Sequence, residues 1–119
     1  MRSPLIKIDF EFVFPYNVVK EMNKLITHIV CFKLKERSAD HVQKTKEVLM
    51  SMQGKIQQLL HLEVGVDVLH SERSYDLVLI TKFHSMKELD AYQIHPVHQE
   101  IVKYMKNVGE TSVSVDFET

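Results

Sequence analysis

The side chains with the most chemical reach are Tyr92, His95 and His98 in the run YQIHPVHQE (92–100), and His28, which opens HIVCFKLK (28–35). Pro96 disfavours helical backbone at His95 yet suits a first helical position itself, so a new helix is predicted to begin at HPVH. His98 then falls in the first turn, where unpaired N–H groups and the helix dipole disfavour a positive imidazole and leave it as a neutral base. Tyr92 precedes His98 by six residues across the Pro96 break, near enough for phenol and imidazole to converge on one small cavity. His28 shares a strand face with Ile26, Val30 and Phe32 by alternation. If that face meets the helices, His28 looks into the cavity under the HPVH turn. An imidazole that removes a carbon-bound proton beside a phenol that binds a carbonyl oxygen gives cofactor-free proton abstraction or aldol/Claisen-type cyclisation.

The candidate catalytic residues are therefore His98, Tyr92 and His28, and the candidate pocket residues are Val30, Phe32 and His95. Each also has a structural reading. His95 suits a cap at a helix start, His28 a hydrogen-bonded core histidine, Tyr92 a core aromatic with a wet hydroxyl, and His98 a packing residue. A metal site built from His95, His98 and His28 is disfavoured, because the proline separates the ring directions and no carboxylate–histidine ligand pattern accompanies them. Neither a metal nor a cofactor is expected. Cys31 falls on the strand face opposite His28 and reads as a buried structural thiol.

The elements that must position these residues belong to one domain, since the chain has 119 residues. Fifteen Lys and Arg against sixteen Asp and Glu give a net charge of −1, so no positive field exists to attract nucleic acid or anionic lipid. One cysteine excludes an intramolecular disulfide framework and fits a reducing cytoplasm. No apolar run approaches the roughly 20 residues of a membrane span, and the N-terminus lacks the apolar centre of a secretory signal.

Residues 5–14 (LIKIDFEFVF) alternate as a strand with Ile6, Ile8, Phe10, Phe12 and Phe14 on one face, and Pro15, Tyr16 and Asn17 then suggest a turn. A second alternating run spans Ile26 to Lys35, so residues 1–21 read as an appended strand on a self-sufficient domain at 22–119. Lys33, Lys35, Glu36 and Arg37 read as a solvated charge run at that strand's end. Ser38 caps a helix with Val42, Thr45, Leu49, Met52 and Ile56 on its buried stripe, ended or weakened by Gly54. Period two returns at Leu62, Val64, Val66 and Val68, the HSERS segment (70–74) makes a hairpin loop, and Asp76 to Phe83 forms a strand apolar on nearly both faces. Ser85 to Glu88 matches a capping box for a helix to about Ile94; the Pro96 helix runs to about Asn107. Gly109 opens a last strand in which Val113, Val115 and Phe117 alternate with Ser112, Ser114 and Asp116.

The order β-α-β-β-α-α-β is the ferredoxin-like pattern, an α+β fold with a four-stranded antiparallel sheet and helices on one face. Val78 and Ile80 together with Leu77 and Leu79 make both faces of one strand apolar. Dimerisation sheet to sheet covers the face the helices leave, so a homodimer is expected.

The segments HIVCFKLK, LEVGVDV (62–68), YDLVLITKF (75–83) and YQIHPVHQE, in this order, resemble the stress-responsive A/B barrel domain family of the dimeric α+β barrel superfamily, over about residues 25–118. The resemblance implies a dimer whose sheets face each other as an α/β barrel. It further implies a match to a plant polyketide cyclase of the family, a cofactor-free and metal-free enzyme whose catalytic histidine matches His98, catalytic tyrosine Tyr92 and further pocket histidine His28. That cyclase carries aromatic residues on its first helix where this chain has Val42, Leu49 and Met52, so its elongated aromatic tunnel does not carry over. Three functions follow in order: a dimeric barrel that binds a small apolar or aromatic molecule without chemistry; a cofactor-independent cyclase or lyase with His98 as base and Tyr92 as hydrogen-bond donor; and a monooxygenase-like barrel, which the absence of tryptophan disfavours.

Overall fold

The computed structural model describes residues 15–119; the strand expected at 5–14 lies outside them. Strands β1 (Ile26–Leu34), β2 (His61–Val66), β3 (Leu77–Phe83) and β4 (Gly109–Glu118) form one antiparallel sheet in the order β2-β3-β1-β4. Helices α2 (Ala39–Met50), α3 (Met86–Ile94) and α4 (Pro96–Val108) connect them, and α1 (Tyr16–Met22) precedes β1. This is the ferredoxin-like α+β arrangement. None of the described helices is long and apolar enough to cross a membrane.

The core lies between the helices and one sheet face. Ile26, Leu34, Leu77, Leu79 and Phe83 bury that face against Leu49, Leu89, Tyr92 and Ile101. Direct cross-strand partners point to the same side, so the register assigns the other face too. Ile29 sits opposite Ile80 and Val115, and Cys31 opposite Val78 and Val113. On this face Ile29, Cys31, Val78 and Ile80 are only half-buried, Val113 is 50% exposed and Val115 62%.

Local chemistry corrects several expected boundaries. Pro15, Tyr16 and Asn17 do not make an isolated turn but start α1, with the Pro15 carbonyl accepting from Val18 and Val19 N–H at 3.1 and 3.0 Å. Helix α2 stops at Met50 rather than near Gly54. Gln53 N–H bonds the Met50 carbonyl and Lys55 N–H that of Met52, the tight spacing of 3₁₀ turns, and Gly54 supplies the left-handed φ of +77° within them. Met52 and Ile56 are still core residues, reached by these turns. Strand β2 ends at Val66, and Val68 is 89% exposed. There the Asp67 carboxylate accepts the His70 N–H at 2.6 Å and bends the chain away from the sheet, placing His70 at φ +57°.

Arg37 leaves the solvated charge run. Its Nε donates to the buried Asp76 carboxylate at 2.9 Å and its guanidinium to the Ser74 carbonyl at 2.9 Å, while Asp76 also accepts the Leu34 N–H at 2.8 Å. One carboxylate thus ties the β2–β3 loop to the end of β1.

Candidate functional site

The Pro96 break builds the corner around which the candidate residues meet. Ser85 Oγ accepts the Glu88 N–H at 3.2 Å and starts α3; His95 lies in extended backbone and Pro96 takes the first position of α4. A cavity of about 410 Å³ lies between α4 and the helix-side face of β1 and β4. His28, Val30 and Phe32 line it from β1, Tyr92 from α3, and His98, Ile101 and Met105 from α4. Ser112 and Ser114 line it from β4. The wall is apolar on the helix and polar along the edge strand.

Tyr92 is the hub of the rings. It is fully buried, with ring centroids 4.4 Å from His98, 4.8 Å from Phe83 and 6.5 Å from His28. Its hydroxyl is not wet: it points at Met52 Sδ, 3.8 Å away, and burial pushes the phenol well above its ordinary pKa. The phenol stays protonated throughout the physiological range.

His98 has a defined proton. Its Nδ1 lies 3.0 Å from the Gln93 carbonyl, which can only accept, so Nδ1 carries the hydrogen and Nε2 keeps the lone pair. Burial lowers the His98 pKa below its ordinary 6.5, and the neighbouring His28 and His95 lower it further, against the opposing pull of the Gln93 carbonyl. The ring is therefore a neutral base at pH 7. His95 is not among the residues lining the cavity. Its Nδ1 accepts the Val97 N–H at 3.1 Å and caps α4, the use that the position before a helix-starting proline favours.

His28 is 7% exposed, and its Nδ1 is hydrogen-bonded to Asp116 Oδ1 on β4. Asp116 escaped the sequence reading because it stood in the polar half of an alternating strand, a pattern that names two faces without saying which is inward. The signal was its register. In a β1–β4 pair that sets Ile29 opposite Val115, Asp116 must face His28. No cluster of three or more metal-ligating side chains occurs among the described residues.

A family model described as "Stress responsive A/B Barrel Domain" matches residues 26–119. A stress-response A/B barrel domain-containing protein of Arabidopsis thaliana is 30% identical over 100 residues, covering 81% of this chain and 48% of the relative. The chain thus spans about half the length of that relative. A dimeric protein of unknown function with a ferredoxin-like fold from Bacteroides fragilis is 25% identical at a TM-score of 0.69, covering 80% of this chain and 96% of that one. A hydroxynitrile lyase from Passiflora edulis shares the fold at a TM-score of 0.69 and 16% identity, covering 80% of this chain and 93% of that one.

Proposed function

Because the chain belongs to the stress-responsive A/B barrel domain family, we propose that it works as a homodimer which takes a small, largely apolar molecule into the His28–His98 cavity and moves a proton on it without a cofactor. One observation carries this reading: two imidazoles whose Nε2 atoms have no partner among the described residues and a buried phenol ring line one cavity of about 410 Å³, large enough for a small substrate. The apolar wall of Ile101, Met105, Val30 and Phe32 holds the body of the ligand, and the β4 hydroxyls meet its polar edge. Residues 22–119 form the functional domain, to which 1–21 are appended. A homodimer agrees with the Bacteroides fragilis neighbour, which is described as dimeric, and the uncovered sheet face is the surface this reading assigns to it.

The reaction class is that of a lyase or cyclase. On a cyanohydrin, His98 Nε2 takes the hydroxyl proton, the C–O electrons form the carbonyl, and the bond to the nitrile carbon breaks with its pair. Cyanide then takes up a proton and leaves as hydrogen cyanide. The Passiflora edulis neighbour makes cyanohydrins a sensible first probe. Mandelonitrile cleavage, followed by benzaldehyde absorbance, should show turnover that falls at least about 100-fold in His98→Ala. An unchanged rate in that variant removes His98 from the mechanism.

A second reading, binding without chemistry, is favoured by the Tyr92 hydroxyl, which faces the Met52 sulfur in the core instead of an acceptor in the cavity. Chemical-shift changes at His28 and His98 on adding mandelonitrile, with no benzaldehyde formed, would support it.

A further inference from the structure

We infer that Asp116 is a positioning residue for His28: it fixes the Nδ1–H form of the ring, leaves Nε2 to the cavity and balances the charge when Nε2 carries a proton. This deepens the proton-transfer reading and rests on it for its catalytic half. The structural half stands on three observations. Register sets Asp116 directly opposite His28 on the neighbouring strand, on the helix-side face. The Asp116 Oδ1 meets His28 Nδ1. The carboxylate oxygen accepts, so Nδ1 holds the hydrogen, and Nε2 has no partner among the described residues.

The groups around His28 leave Asp116 as its countercharge. From α3 comes Tyr92, held neutral; from α4, His98, also neutral; from β3, Thr81, whose hydroxyl reaches the His28 carbonyl at 3.4 Å. Glu110 also lines the cavity, but six residues along β4 from Asp116 is roughly 20 Å away. The two cavity histidines therefore differ in kind. His98 leans on a neutral carbonyl and serves as base. His28 leans on a carboxylate, so a proton at its Nε2 yields a compensated imidazolium–carboxylate pair facing the ligand. His98 can take a proton from one substrate atom while His28 gives one to another, which leaves the substrate's charge unchanged; solvent exchange then resets both rings. The matching substrate class gains negative charge at a second atom as it is deprotonated at the first, as a carbonyl or nitrile leaving group does.

The test uses the full chain labelled with nitrogen-15, with long-range proton–nitrogen NMR of the imidazoles at pH 7.5 and His28→Gln to assign the signals. Wild type should show His28 protonated at Nδ1. In Asp116→Asn, whose amide donates as well as accepts, the exclusive Nδ1–H pattern should disappear while backbone dispersion is kept. On mandelonitrile the same variant should lose about ten-fold or more in kcat with little change in KM. A wild-type His28 protonated at Nε2 with Nδ1 bare, or an Asp116→Asn pattern identical to wild type, overturns the assignment whatever the turnover. Absence of turnover in the wild type, with the tautomer shift present, overturns the catalytic reading and supports the positioning of the ring.

Discussion

The two faces of the sheet spend their side chains differently. On the helix side, β1 and β4 present His28, Asp116, Ser112 and Ser114, and the cavity opens beside them; on the other side the same strands present Ile29, Cys31, Val113, Val115 and Phe117. The edge strand β4 is inverted relative to a simple amphipathic strand, since its polar residues point toward the core layer and its apolar ones away from it. A sheet built only to cap a hydrophobic core would show the opposite pattern. One face is thus equipped to hold a ligand and the other to be hidden by another surface.

The largest expected effect breaks the uncovered face. Val115→Asp places a carboxylate on it in both copies, and a buried unpaired charge costs about 3–5 kcal/mol. Sedimentation velocity at micromolar concentration should find monomers, while the His28 and His98 signals stay in place; dimers that persist would show that this face is not the interface. His98→Ala acts on the other face, where mandelonitrile turnover should fall about 100- to 10,000-fold with the dimer unchanged.

A smaller effect is expected where the two regions join. Gly109 starts β4 at the end of α4, and a Cβ there would lie 2.7 Å from the Met105 carbonyl oxygen. Gly109→Ala should therefore destabilise the chain by about 1–3 kcal/mol in urea unfolding. The smallest effect sharpens the electrostatics of the cavity. Burial lowers the His98 pKa, so between that value and the ordinary 6.5 the unfolded chain binds a proton that the folded one refuses. Stability should rise with pH through this window by at most about 1.4 kcal/mol per unit and level off above it. Subtracting the His98→Gln curve from wild type should isolate that slope, and a difference with the opposite sign would contradict the burial of the ring.

The element order was legible because period two and period 3.6 are strong local signals, and Ser38, Ser85 and Pro96 mark helix starts by chemistry that needs no tertiary partner. Helix and strand ends were less so. Whether α2 ran to Gly54 depended on turns that keep Met52 and Ile56 in the core by another route. Arg37 looked like surface because its partner, Asp76, is distant in sequence. The site divided along the same line. Tyr92 and His98 could be named from residue type and spacing near a helix break, His28 from strand alternation, and all three from the family resemblance, whereas Asp116 and the cap role of His95 depend on register and backbone direction.

The Gln93 carbonyl that steers His98 is available because the helix is interrupted. That oxygen accepts both the His98 ring and the Gln99 side-chain amide, and had α3 continued through position 96 the amide of residue 97, four positions on, would compete with them for its two lone pairs. The reactivity of the ring is thus written partly into a discontinuity of the main chain. Restoring helical continuity at Pro96 would loosen the hold on the base while leaving every atom of its side chain intact.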